Sequence, residues 1–276
     1  MTPELRSDFF RLCLTEPIAG CRIASTFLSY PIGDDADYWL LLDEEEHPCG
    51  VLCRFHGLFS LIALDGTQWE ELSQFLQAQD CPELEGDLLA VDPFITRYWP
   101  REPVDYWKGT SMLHSGIWQR APRHPVVQAS RLRETYQIFA DSLPYMLDSH
   151  PMDRWYLDMN HRMRHGHVEI YEIQEAGIPV ATAGLYGFVG RWSYLGCVAT
   201  LEPCRGKGYA SDLVRALVNH SLKRGALPGL MCAEETLVPF YEALGFEVSG
   251  TFTTVALKEE KSPAGQEEED HAADIF

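Results

Sequence analysis

Apolar residues in the second half of the chain recur with two periods. Ala210, Leu213, Val214, Leu217, Val218 and Ser221 follow i, i+3, i+4, i+7, i+8 and i+11, the stripe of a helix lying on a sheet. Before it, "VEIYEIQ", "IPVATAGLYGF" and "RWSYLGCVAT" are three β-type runs with turn signals between them, which predicts an antiparallel meander. After it, "LPGLMCA" reads as a short buried strand, "LVPFYEAL" as a helix ended by Gly245, and "FEVSGTFTTVAL" as a final strand pair. Upstream, "VVQASRL" predicts a strand, and "ETYQIFADSL" and "DRWYLDMNHRMRH" predict helices.

The first half echoes part of this order. "YWLLLDEE", "CGVLCRFHG" and "LFSLIALDG" read as strands, "TQWEELSQFLQAQ" as a helix and "GDLLAVD" as another strand, which makes a degenerate internal repeat. In that helix Trp69, Leu72, Phe75 and Leu76 form the core stripe, and Thr67 with Glu70 predicts a capping box. Two prolines and three cations in "RAPRHPVV", Arg120 to Val127, mark a linker. Beyond Lys258 the carboxylate-rich "EEKSPAGQEEEDHAADIF" lacks the apolar content to fold. The expected organisation is therefore a degenerate domain over 1–120, a second domain over 124–258 and an acidic, disordered tail over 259–276.

Charge narrows the partners. A formal net charge of −19, from 41 acidic against 22 basic residues, repels nucleic acid and anionic membrane surfaces, and favours a neutral or cationic partner. No basic N-terminal segment precedes an apolar run, and no stretch approaches the ~20 apolar residues that span a bilayer, so a cytoplasmic protein is expected. Eight scattered cysteines fit free thiols in a reducing compartment. Cys49 and Cys53 would lie about 13 Å apart on a strand, too far to share a zinc ion, with His56 on the other side. His161 and His165, at i and i+4, lack the carboxylate of a metalloprotease helix; substrate contact or solvent exposure is the simpler expectation.

The remaining chemistry lies in "CRGKGYASDL", Cys204 to Leu213. A helix N-terminus offers unpaired N–H groups and partial positive charge, Gly206 and Gly208 let an anion approach the backbone, and Arg205 and Lys207 add charge; the turn suits a pyrophosphate. It is neither a nucleotide-binding P-loop, whose spacing is absent, nor a dinucleotide fingerprint, which would need glycine at Ser211. With "GCVATLEPC" before it and "PFYEALGF" about thirty residues later, the stretch resembles the GNAT superfamily of acyl-CoA-dependent N-acyltransferases, whose R-x-x-G-x-A signature is met by Arg205, Gly208 and Ala210. The resemblance covers roughly Val126 to Leu257; the first 120 residues match in outline.

The resemblance implies an α/β fold with a mixed, mostly antiparallel GNAT-like sheet flanked by helices, and a second, degenerate half of related topology. It implies a V-shaped opening between "RWSYLGCVAT" and "LPGLMCA" that takes acetyl-CoA, with Val198, Ala199 and Thr200 along the pantetheine and Arg205, Gly206, Lys207, Gly208, Tyr209 and Ala210 around the pyrophosphate. No metal is called for. Tyr241 stands where the family often places the acid that protonates the leaving thiolate, the bland alternative being a packed ring. The family's frequent strand glutamate is missing from Arg191 to Tyr194, and Glu234 replaces an asparagine; it could relay a proton, hold a cationic substrate or merely favour a helix dipole. The expected activity is N-acetyl transfer by direct attack of a small-molecule or protein amine. The alternative is a non-catalytic acyl-CoA sensor or scaffold, and a first half that docks proteins would make the acceptor a protein.

Overall fold

A computed structural model of the protein describes residues 3–30, 36–99, 103–142 and 151–257. The tail expected over 259–276 lies outside them. The first half runs α1 (Pro3–Cys13), α2 (Pro17–Ser29), β1 (Ala36–Leu42), β2 (Pro48–Phe55), β3 (Leu58–Ala63), α3 (Trp69–Ala78), β4 (Glu83–Asp87), α4 (Leu88–Tyr98) and β5 (Pro103–His114). The second half opens with a short β6 (Val127–Gln128) and then repeats the same series. It runs α5 (Leu132–Ser142), α6 (Met152–Arg164), β7 (Glu169–Glu175), β8 (Ile178–Val189), β9 (Trp192–Thr200), α7 (Tyr209–Lys223), β10 (Leu227–Cys232), α8 (Val238–Glu242) and β11 (Phe246–Leu257). The repeat is thus fuller than the hydrophobic pattern suggests.

These strands form one sheet of 11, in the order β1-β2-β3-β4-β11-β5-β10-β9-β8-β7-β6. All the pairings are antiparallel except β3 with β4 and β9 with β10. The two halves exchange their last strands: β11 of the second pairs with β4 of the first, β5 of the first pairs with β10 of the second, and β5 and β11 pair with each other.

Alternation along the strands feeds two layers. Leu52, Leu61 and Leu84 pack under α3 and α4, and Leu195 and Leu230 pack against Leu213, Val214 and Leu217 of α7. On the opposite face Val51, Cys53 and Ile62 pack with α1 and α2, and Ile170 and Ala199 with α5 and α6. Helix α2 reaches past its own half onto β8: a Cβ on Gly187 would stand 2.6 Å from the Cys21 carbonyl oxygen, so only glycine admits the helix this closely.

Four local expectations are corrected. Thr67 does not cap α3; its hydroxyl donates to the Leu64 carbonyl (2.8 Å), and Gln68 occupies the N-cap without a side-chain bond. The strand in "GDLLAVD" ends at Asp87, whose carboxylate accepts from the Leu89 N–H (2.8 Å) and starts α4, so the apolar residues after it are helical. "FEVSGTFTTVAL" is a single strand with a bulge between Val248 and Gly250, because β5 and not a hairpin mate pairs with it. The strand in "VVQASRL" shrinks to Val127 and Gln128.

Candidate active site

Strands β9 and β10 are paired only at their beginnings, where Leu227, Pro228 and Gly229 face Trp192, Ser193 and Tyr194. From Gly229 onward β10 pairs with Leu113 to Thr110 of β5, whereas β9 stays with β8, and the two part. A V opens between them. The corresponding strands of the first half remain paired from Leu58 with Glu83 to Leu61 with Gly86, close to the end of β4, so that half has no such opening.

A bulge shapes the β9 wall. Thr182 pairs with Ala199 and Gly184 with Gly196, which leaves two β9 residues, Cys197 and Val198, opposite Ala183 alone. Cys197 takes a positive φ of 53° there. Its side chain packs with the α5 and α6 cluster, while Val198 packs with the α7 cluster. Farther along, the buried Thr200 Oγ1 has no hydrogen-bond partner among the described residues.

The turn after β9 leads into α7. Gly206 and Gly208 have φ of 76° and 87°, and Gly208 is the N-cap, with no side chain to satisfy the first-turn N–H groups. The cations are more engaged than expected. Arg205 Nε donates to the Thr200 carbonyl (3.2 Å), and Lys207 Nζ and the Tyr209 hydroxyl both reach Glu175 Oε1 at 2.6 Å. Lys207 first and Tyr209 second hold the Glu175 carboxyl below the ordinary carboxylate range. Ala210 lies in the first turn of the helix.

Arg123, from the segment joining the halves, also belongs to this turn: a Cβ on Gly208 would collide with its Nη2. The buried carboxylate of Asp212 ties the segment down, accepting from the Arg123 N–H (3.0 Å), the His124 N–H (3.2 Å), His124 Nδ1 (2.7 Å) and Arg215 Nη1 (3.1 Å). Burial by itself would raise the Asp212 pKa; the bonds from His124, Arg123 and Arg215 outweigh it and keep the group below its usual value. The sequence signal for Arg123 is the cation-rich "RAPRH", which by composition reads as a linker.

The two candidate catalytic residues are placed differently. Tyr241, on α8, is buried in the cluster on the α7 side, its ring 4.9 Å from that of Phe240 and 6.0 Å from that of Phe246. Glu234 is exposed just beyond β10; its carbonyl accepts from the Cys232 thiol (3.1 Å) and the Leu237 N–H (2.9 Å), and its side chain caps nothing. His161 is a contact between helices: Nε2 lies 2.9 Å from the Ser29 carbonyl and the ring stacks on Tyr30 at 4.9 Å.

Polar groups from both halves meet on the other face of the opening. Arg22 of α2 donates from Nη1 to Glu85 Oε2 (2.9 Å), and Ser60 Oγ donates to Glu85 Oε1 (2.6 Å). Tyr194 lies over Gly196, and Tyr186 stands beside Cys197 with its hydroxyl buried. Burial pushes the Tyr186 hydroxyl well above its usual value and raises the Cys197 thiol, so both keep their protons. Among the described residues no group of three or more His, Cys, Asp or Glu could hold a metal ion, and no helix is long and apolar enough to cross a membrane.

Residues 132–246 match the family model of the Acetyltransferase (GNAT) family. The fold is shared with solved structures at low identity. A tandem GNAT protein from the clavulanic acid biosynthesis pathway aligns over 92% of this chain and 94% of its own, with a TM-score of 0.60 and 14% identity. A GCN5-related N-acetyltransferase from Kribbella flavida aligns over 86% of this chain and 96% of its own, with a TM-score of 0.56 and 15% identity. A GNAT-family protein from Novosphingobium aromaticivorans aligns over 87% and 97%, with a TM-score of 0.55 and 14% identity. No curated protein matches the chain in sequence.

Proposed function

Since residues 132–246 match the model of the Acetyltransferase (GNAT) family, we propose that the protein moves an acetyl group from acetyl-CoA to an amine by direct attack. The observation that carries this reading is the opening between β9 and β10 ending on the glycine turn of α7, a pairing of features that the first half lacks.

The residues fit acetyl-CoA. Its pantetheine would lie along Val198, Ala199 and Thr200, where Thr200 Oγ1 is unpartnered among the described residues. Its diphosphate would rest on the turn from Arg205 through Gly206, Lys207, Gly208 and Tyr209 to Ala210, with Arg123 supplying a further cation. The bound cosubstrate supplies an activated acyl group. The amine nitrogen forms the new bond to the thioester carbon, the C–S bond breaks, and Tyr241 is the group we assign to protonate the departing sulfur, its ring held by Phe240 and Phe246. Glu234, exposed at the end of β10, is assigned to accept a proton or hold a cationic acceptor at the rim. The net charge of −19 favours a cationic amine, and the free cysteines fit the cytoplasm.

Thiol release from acetyl-CoA, measured against a panel of amines, tests the reading. Turnover with at least one amine is expected. Saturable binding of acetyl-CoA with no thiol release for any amine would instead identify an acyl-CoA sensor.

A further inference from the structure

Arg22 has features that a structural ion pair does not require. Of its side chain 26% is accessible, against 5% for its partner Glu85, so the more open member of the pair is the cation. It stands beside Tyr194 of β9 and Met231 of β10, over the cleft where those two strands part.

Tyr194 and Cys197 of β9 and Tyr186 of β8, all three partly buried, stand around the β9 bulge. The charge of Arg22 acts on both Tyr194 and Cys197. Its guanidinium stands 5.9 Å from the Tyr194 ring centre and 5.7 Å from that of Phe252, with Met231 Sδ 4.0 Å from Nη1. Among the described residues Arg22 donates only from Nη1, to Glu85 Oε2 and Met231 Sδ, which leaves the three N–H donors of Nε and Nη2. Glu85, fixed on its other oxygen by Ser60, sets the plane of the guanidinium before any ligand arrives.

We propose that Arg22 binds a carboxylate of the acceptor, which makes the acceptor an amino-acid-type molecule carrying both an amine and a carboxylate. The inference rests on the acetyltransferase reading for the role of the bound molecule, and on the cleft for its chemistry. A planar fork with free parallel donors matches a carboxylate, and its fixed orientation reduces the entropy lost on binding. The cleft opens beside the bulge where the thioester would lie, so a molecule anchored at Arg22 would present its amine within the opening. The first half, without an acyl-CoA cleft of its own, would then supply the acceptor anchor from α2.

Calorimetry on acetyl-CoA-saturated protein, with the standard L-amino acids and their α-carboxamides as probes, tests this without requiring turnover. At least one acid should bind more tightly than its amide. In Arg22→Gln the acid-to-amide preference should fall by on the order of 10- to 100-fold, the range for a hydrogen bond to a charged group. Arg22→Lys should restore part of it. Should Arg22→Gln fail to fold because Glu85 is left buried, Arg22→Gln with Glu85→Gln keeps a hydrogen-bonded neutral pair and should show the same fall. Wild-type protein that binds no acid more tightly than its amide, or a folded variant that retains the full preference, would overturn the proposal. Thiol release on the same panel separates the two readings: preferential binding without turnover supports the Arg22 anchor and rejects the transferase.

Discussion

Asp212→Asn should loosen the protein and its cosubstrate site together. The wild-type carboxylate is inaccessible and accepts four donors, three at Oδ2 and one at Oδ1. Asparagine keeps the shape but has one oxygen. If that oxygen stays with the backbone N–H groups of Arg123 and His124, the new amide confronts Arg215, and the surviving bonds lose their charge assistance. Hydrogen bonds to charged groups contribute roughly 1.5–3 kcal/mol each against about 1 for neutral ones, and removing one partner of a fully buried pair costs about 3–5 kcal/mol. Arg123, with 60% of its side chain exposed, puts this site near solvent, so about 2–3 kcal/mol is the expected loss. In a chain of this size that lowers the melting temperature by roughly 5–10 °C. The folded pKa of Asp212 lies below its unfolded value, so its stabilisation is fully present above about pH 4 and disappears as the pH falls through the folded pKa. The gap between wild type and variant should therefore persist at pH 7 and shrink in acid. Calorimetric titration should also show acetyl-CoA binding weakened by roughly 2- to 5-fold, the order for one exposed cation on a phosphate. Thermal scans from pH 3 to 8 together with that titration decide the matter. A variant melting like wild type at pH 7 refutes the clamp; a destabilised variant with unchanged affinity refutes the place of Arg123 in the site.

Tyr241→Phe should lower single-turnover acetyl transfer by on the order of 10²-fold while leaving acetyl-CoA binding intact, and a rate ratio near one would remove Tyr241 as the acid. Because β3 and β4 stay paired where β9 and β10 part, calorimetry should give one acetyl-CoA per chain, and a second equivalent site would contradict the closed first half. Gly208→Ala should weaken acetyl-CoA binding more than Gly206→Ala: both add about 1–2 kcal/mol of left-handed strain, but a Cβ at 206 meets no atom within 4 Å, whereas at 208 it drives Arg123 aside. Equal affinities in the two variants would refute that difference.

Much of the second half was legible because its pattern is local. The stripe of α7 and the meander of β7, β8 and β9 each lie within one stretch, and the turn between them carries its chemistry in consecutive residues. Local reading failed where a long-range partner decides the structure. Ser249 and Gly250 in β11 look like the turn of a hairpin, but β5 pairs along the whole strand and turns them into a bulge. "LLAV" has β character, but the Asp87 carboxylate at the helix start makes it the opening of α4. Arg22 and Glu85 lie 63 residues apart, and Arg123 and Asp212 lie 89 apart. Such pairs leave no period in the sequence, and each of the four residues taken alone reads as an ordinary surface charge.

The exchange of β5 and β11 makes the two halves inseparable. A polypeptide cut at 120–124 would yield two pieces, each ending in a strand whose neighbours belong to the other, with the long edges of β4 and β10 laid bare. The wall of the opening formed by β10 is held from behind by Thr110 to Leu113, so part of the second half's chemistry hangs on the end of the first. In a sheet laced in this way the half whose strands stay closed braces the half whose strands part, and substitutions in β5 should reach the opening through β10 rather than act as damage to a dispensable appendage.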